Sequence, residues 1–128
     1  MKEENTGKHN RIFDLQERFI NYAAAIIKLT EGLPENKAGK HISSQLLRSG
    51  TSPAANYGEA QSAESVSDFI HKLKIALKEL RETEVWLKIL IKTGIIQPSF
   101  IFPLLSETDE LIAILVKSIQ TAKRNKER

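Results

Sequence analysis

Apolar residues recur at steps of three and four along most of this 128-residue chain, and that spacing restricts its fold more than any other feature. In the first such segment the recurring residues are Ile12, Leu15, Phe19, Tyr22, Ala23, Ile26 and Leu29. Steps of three and four place side chains on one face of an α-helix, whereas a half-buried strand needs strict alternation. The sequence contains no strand-like alternation, so we predict an all-α fold.

Glycine, proline and capping signals divide the chain into four predicted helices, at about 11–31, 37–60, 65–93 and 99–121. Ser65, with Asp68 three residues later, is typical of a helix start, and Gly94 is typical of a helix end. Because the loops are short, neighbouring helices should be antiparallel, as in an up-and-down four-helix bundle. We predict one domain over residues 1–122 and a basic tail at 123–128.

The second predicted helix contains the segment "LLRSGTSPAANYGEAQ", whose glycines and proline resemble a loop. Two stripes nevertheless continue through it at helical spacing: Ile42, Leu46, Ser49, Pro53, Tyr57 and Ala60, and beside them His41, Gln45, Arg48, Ser52, Asn56 and Glu59. We predict a continuous helix kinked near Pro53, because proline lacks the N–H that the helix would use. The alternative is a break, with Ser52 as N-cap and Pro53 as the first residue of a new helix.

The polar stripe of this helix mixes amides with opposite charges. We interpret Gln45, Arg48, Ser52, Asn56 and Glu59 as a hydrogen-bonded structural seam. The rival hypothesis is a small-ligand or catalytic site that uses Arg48, Asn56 and Glu59. That hypothesis requires a pocket open to solvent along the stripe.

Composition excludes several classes of protein. The chain has no cysteine, which excludes disulfides and thiolate metal sites and is compatible with the cytoplasm, where we predict that it acts. The N-terminal residues "MKEENTGKHNR" lack the apolar region of a secretory signal. Apolar runs are far shorter than the roughly 20 residues of a membrane span, so we expect no membrane partner.

Motifs for catalysis are largely absent. There is no glycine-rich phosphate loop, nucleophile elbow or zinc-protease motif. "DFIH", Asp68 to His71, imitates half of a di-iron motif, but no second half accompanies it. We predict no enzyme activity, no cofactor and no metal.

Basic residues cluster on one face of the third helix and at the C-terminus. The face comprises Lys74, Lys78, Arg81, Lys88 and Lys92, and the tail "KRNKER" adds Lys123, Arg124 and Lys126. The tail accounts for the whole net charge of +3, so the rest of the chain is neutral. Such rows contact phosphates in nucleic-acid-binding proteins, or else pair with acids of a neighbouring helix, or remain solvated.

The chain also has more apolar faces than one core requires. The extra residues are Phe13, Ile20 and Ile27 on the first helix and Ile75, Trp86 and Ile89 on the third. Extra apolar stripes are typical of buried interfaces between subunits. We therefore predict a homo-oligomer in which these residues lie at the interface.

Three stretches resemble the bacterial four-helix-bundle proteins called 23S rRNA intervening-sequence proteins. "QLLRSGTSPAANYGEA" is similar to the family's second-helix signature, R-S-x-x-S-x-x-A-N-x-x-E, and "IALKELRETEVWL" to its third-helix motif. "FDLQERFINYAAAIIKLTEGLP" is similar to the family's first helix. Tyr57 and Gly58 depart from the isoleucine and alanine of many members.

The resemblance implies a four-helix bundle that associates as a homopentamer. It also implies kinship with the accessory variability protein of diversity-generating retroelements, which is strongly basic and binds nucleic acid. The neutral body of this chain departs from that protein. The leading hypothesis is a non-enzymatic pentamer that binds RNA or DNA, in which five tails together carry about +15. The alternative is a protein-interaction scaffold with no nucleic-acid role.

Overall fold

Four α-helices and one short 3-10 turn make up the computed structural model of the chain. The helices are α1 (Lys2–Glu31), α2 (Lys37–Gln61), α3 (Val66–Thr93) and α4 (Phe102–Glu127), and the 3-10 turn is Pro98–Phe100. The structure describes the backbone of residues 2–127 and the side chains of residues 15–127. No strand occurs in the described backbone, so the predicted all-α class is confirmed.

Side chains and glycine set the ends of the central helices. The Asn36 side chain accepts a hydrogen bond from the Gly39 N–H at 2.9 Å and begins α2. Ser65 begins α3 as predicted, since its hydroxyl accepts a hydrogen bond from the Asp68 N–H at 3.0 Å. Gly94 ends α3 with a φ of 68°, a left-handed conformation that favours glycine.

The last helix extends further than the sequence analysis predicted. We expected it to end near residue 121, where the apolar recurrence stops, but α4 continues to Glu127. The added residues include lysine, arginine and glutamate, which have high intrinsic helix propensity. Residues 123–127, predicted as a tail, are therefore a helical extension of the domain.

The helices pack in chain order, and successive helices are antiparallel. Between α2 and α3, for example, Arg48 meets Glu82 while Glu59, further along α2, meets Lys72, earlier on α3. Of the neighbouring pairs of helices, α1 and α4 contact each other least. The packing is thus tight across α2 and its two neighbours and more open between α1 and α4.

The core lies between the four helices and consists almost entirely of aliphatic and aromatic side chains. Its largest fully buried apolar members are Phe19, Ile26, Leu46, Leu73, Leu80, Leu87, Leu90, Ile101, Leu111 and Leu115. The buried polar residues of the described part are Ser49, Thr83 and Thr108. Every buried side-chain nitrogen or oxygen in that part has a hydrogen-bond partner.

The helix α2 is continuous through Pro53, as predicted, and the alternative of a break is wrong. The whole predicted stripe of Ile42, Leu46, Ser49, Pro53, Tyr57 and Ala60 is buried. The kink near Pro53 stays a prediction. Gly50, also buried, lies against Ile26 of α1: a Cβ built on Gly50 would lie 2.7 Å from Ile26 Cγ2 and 2.9 Å from Cγ1.

Gly50 and Gly58 provide a matched test of this close approach, because both are helical glycines of α2. Gly50→Ala should lower the free energy of unfolding by about 1–3 kcal/mol, since the branched Ile26 side chain cannot move aside without strain. Gly58→Ala should raise it by about 0.5–1 kcal/mol, because alanine favours the helix and its Cβ would have no neighbour within 4 Å. Urea unfolding monitored by circular dichroism measures both, and equal effects at the two sites would contradict the packing argument.

Candidate functional site

The predicted polar seam joins α2 to α3 through one arginine. Arg48 Nη1 donates to Glu79 Oε1 at 2.9 Å, and its Nη2 donates both to Gln45 Oε1 at 2.9 Å and to Glu82. The Arg48 side chain is half exposed, yet its guanidinium is bound by three acceptors. The arginine therefore acts as a connector between the two helices.

Trp86 and His41 extend this cluster along the surface. The Trp86 indole N–H donates to Glu82 Oε2 at 3.1 Å, and the His41 ring meets the indole edge-on with centroids 5.7 Å apart. The indole hydrogen bond lowers the pKa of Glu82, and the hydrogen bond and charge of Arg48 lower it further. Glu82 is thus held in its charged form by neighbours on both helices.

The other predicted seam residues differ in where they bond. Glu59 reaches α3, where Lys72 Nζ lies 2.7 Å from its Oε1 and the contact raises the pKa of Lys72. Asn56 bonds within α2, donating to the carbonyl oxygen and the hydroxyl of Ser52 at 3.0 and 3.2 Å. The stripe therefore divides into a cross-helix part (Arg48, Glu59) and a part whose hydrogen bonds stay within α2 (Gln45, Ser52, Asn56).

A buried pair of hydroxyls lies beside this seam, and its partners were not predicted from the sequence. Ser49 and Thr83 are both fully buried, and their hydroxyl oxygens lie 2.9 Å apart. The Thr83 hydroxyl also lies 2.8 Å from the Glu79 carbonyl oxygen. Because Thr83 has one proton to give, donation to that carbonyl leaves Ser49 as the donor to Thr83. A hydroxyl within the apolar stripe of each helix was the only signal in the sequence.

The basic residues of α3 lie on its outward face. Lys74, Lys78, Arg81, Lys88 and Lys92 are all exposed. Lys88 lies 3.7 Å from Glu84, four residues earlier, and the other four have no carboxylate within 4.0 Å among the described residues.

The end of α4 lies beside this row. Lys123 is next to Lys74, and its like charge lowers the pKa of Lys74. Lys126 donates to the Ser67 hydroxyl, which precedes Lys74 on α3, while Arg124 is exposed. The structure thus brings together two groups of cations that are far apart in sequence.

An acidic contact lies midway along the same pair of helices. A hydrogen bond between Glu84 and Asp109, together with burial, raises the pKa of Glu84, and the charge of Asp109 adds to that rise. Lys88 partly opposes these effects. Two carboxyl groups in contact favour a shared proton.

The predicted interface residues lie in two separate places. Ile20 and Ile27 are 48% and 42% exposed on the outward face of α1, and Ile89 is 36% exposed on α3. Ile75 and Trp86 are half-buried on α3, and Trp86 contacts His41 of α2. The side chain of Phe13 lies outside the described residues.

A groove with a volume of about 740 Å³ runs between α1 and α4. Its lining is mostly apolar and comprises Arg18, Asn21, Tyr22, Ala25, Lys28, Leu29, Gly32, Ile96, Phe100, Pro103, Leu104 and Glu107. At one end Arg18 forms two hydrogen bonds with Glu107, at 2.7 and 3.0 Å, and one with Glu110 at 2.8 Å. The hydroxyl of Tyr22, which lines the groove, lies 2.5 Å from that of Thr108 in the core beneath, and Thr108 also donates to the Leu104 carbonyl.

Neither a metal centre nor a membrane helix is found in the part of the chain that the structure describes. Within it, no three histidine or acidic side chains converge as metal ligands do. None of its helices combines the length and apolarity needed to cross a bilayer. His71, from the "DFIH" motif, is exposed.

With four antiparallel helices and a polar seam between α2 and α3, the chain is a small all-α helical-bundle protein. The family of 23S rRNA-intervening sequence proteins matches residues 13–117, and the chain belongs to that family. A similar crystal structure, of a protein with unknown function from the S23 ribosomal protein family of Bacteroides thetaiotaomicron, is 38% identical, with a TM-score of 0.77. The match covers 82% of this chain and 97% of that one. No curated protein matches the sequence.

The two glutamates of "RETE" should respond oppositely to pH. The pKa of Glu82 is lowered by folding, so its stabilising effect is present above its ordinary pKa and disappears as pH falls. The pKa of Glu84 is raised, so folding is weakened as pH rises through that raised value. At neutral pH, Glu82→Gln should therefore lower the free energy of unfolding and Glu84→Gln should raise it.

Urea unfolding at neutral pH and in acid well below pH 4.5 measures both effects. In acid both differences from the wild type should shrink, because the native carboxyls are then protonated as well. Changes of the same sign at neutral pH would contradict the opposite environments of the two side chains.

Proposed function

We propose that this chain is a non-enzymatic, homo-oligomeric helical protein, a pentamer, that binds nucleic acid through the outward face of α3 and the end of α4. The main support is the row of exposed cations on α3 and its continuation at Lys123 and Lys126. Like charges that lie side by side repel one another, and a phosphate placed between them relieves that repulsion. The family's name, which refers to 23S rRNA, favours RNA as the ligand.

The arrangement of the polar seam argues against the catalytic alternative. Arg48, Glu59 and Asn56 already have hydrogen-bond partners within the chain. A substrate would have to displace Glu79 or Glu82 from Arg48, which would break the contact between α2 and α3. The seam is better suited to a structural role than to a catalytic one.

A protein-interaction scaffold is the second candidate function. Exposed Ile20, Ile27 and Ile89 favour it, because repeated exposed isoleucines indicate a surface that a protein partner covers. In that case neighbouring subunits would pair with the α3 cations. The two candidates differ in whether those cations respond to added RNA.

RNA binding followed by fluorescence anisotropy at several salt concentrations tests the leading proposal. The variant Lys74→Gln, Lys78→Gln, Arg81→Gln should bind more weakly at low salt. Its slope of log affinity against log salt should fall by about 2 to 3, because each phosphate contact contributes 0.7–0.9. The matched control is Lys37→Gln, Lys40→Gln, Lys117→Gln, which removes three exposed charges elsewhere and should change the slope little.

An equal loss in both variants would show attraction by net charge alone, and no binding by micromolar wild-type protein at low salt would overturn the proposal. Duplex and single-stranded DNA in the same assay identify which nucleic acid is preferred. Unchanged oligomeric mass of both variants keeps the comparison valid.

A further inference from the structure

We infer that copies of this chain associate by inserting a ridge on α1 into the groove between α1 and α4 of the next copy. The ridge consists of Ile20, Ala24 and Ile27, and the groove is the apolar one described above. This inference rests on the homo-oligomer of the proposed function and specifies the two surfaces that would form it. The occupant of the groove is thus a second copy of the same chain.

The ridge is an apolar face that the rest of the chain leaves uncovered. Ile20 and Ile27 are 48% and 42% exposed, and Ala24 between them is also exposed. The helical step places all three on the side of α1 opposite Tyr22 and Leu29, which lie in the core. Two isoleucines seven residues apart form a ridge about 10 Å long.

The groove has the length to accept that ridge. Its lining extends along α1 from Arg18 to Leu29, which corresponds to about 16 Å of helix, and continues to Gly32 just after the helix. Ala25 and Gly32 keep the α1 wall low, and a Cβ built on Gly32 would have no neighbour closer than 3.6 Å. Small residues in a groove allow a second helix to approach closely.

The chemistry of the groove favours an apolar occupant over a polar one. The hydroxyl of its lining residue Tyr22 is bonded to that of Thr108 in the core beneath, and Arg18 is occupied by Glu107 and Glu110. Phe100, 62% exposed at the opposite end, is a large apolar side chain without cover. A helix that presents isoleucines at i and i+7 fits such a groove.

Arg18 and Glu107 of the groove pair with each other, which leaves Lys28 as the one charge of its lining without an opposite charge within 4.0 Å among the described residues, whereas the charges beside the ridge are negative. Glu17 and Glu31 flank the ridge on the exposed side of α1, and Lys28 is exposed at the edge of the groove. A ridge that enters a groove of different composition makes a heterologous contact. Each copy then uses its ridge on one neighbour and its groove on the other, which closes a ring when the rotation permits.

Two variants on exposed residues separate the surfaces. The ridge variant is Ile20→Glu, Ile27→Glu, and the groove variant is Lys28→Glu, Phe100→Glu. Each should weaken association about 100-fold or more, because an unpaired charge would be buried at the contact. The control, Val85→Glu, makes the same apolar-to-acidic change at an α3 residue that is 55% exposed and belongs to neither surface.

Sedimentation velocity and light scattering of the full-length proteins measure the masses, with circular dichroism as the check on folding. The wild type and Val85→Glu should share one mass above that of a dimer, and each surface variant alone should be a monomer. An equimolar mixture of the two variants should give a complex of two chains, since the intact groove of one can receive the intact ridge of the other.

Several results would overturn the inference. The wild type would contradict it by being a monomer or by stopping at a two-fold dimer. The surface variants would contradict it by keeping the wild-type mass, and the control by dissociating as they do. A mixture of the two variants that stays monomeric would also contradict it. If the surface variants keep the wild-type mass and the wild type binds RNA, this interface is wrong while the proposed function stands.

Discussion

The contact between Ile26 and the bare backbone of Gly50 determines how closely α1 approaches α2. A close approach there puts Phe19 and Tyr57 in stacked contact, with ring centroids 5.0 Å apart, and sets the depth of the core on that side. The helix α2 also packs against α3, so its position is transmitted to both neighbours. A residue with no side chain thus constrains three of the four helices.

On its other side α2 is held by polar contacts of two kinds. The buried hydroxyls of Ser49 and Thr83 hydrogen bond where water cannot compete, so the loss of Thr83 would leave the Ser49 hydroxyl without a partner. The outer contact of Arg48 with Glu79 and Glu82 is half exposed, and solvent weakens it. The inner pair therefore contributes more to the alignment of α2 and α3, and the outer cluster gives the surface its charge pattern.

Periodicity was enough to predict much of this fold. It predicted the all-α class and the buried face of α2 through Pro53, and the Ser-x-x-Asp capping pattern predicted the start of α3 at Ser65, because each depends on residues close in sequence. The partners of Arg48 were not predictable, since the sequence shows which face of α2 is polar but not the register of α3 against it. The groove between α1 and α4 was missed for a related reason, because the spacing of two helices from opposite ends of the chain leaves no periodic signal.

Because α4 extends to Glu127, the basic end of the chain is a rigid helical surface rather than a flexible tail. A flexible tail would present Lys123 and Lys126 at continually varying distances and would lose backbone entropy each time an anion held it. On a helix their separation from each other and from Lys74 is set by a stiff backbone before any ligand arrives. Unwinding the last two turns of α4 would leave the net charge unchanged, but the positive charges would no longer have fixed positions relative to one another.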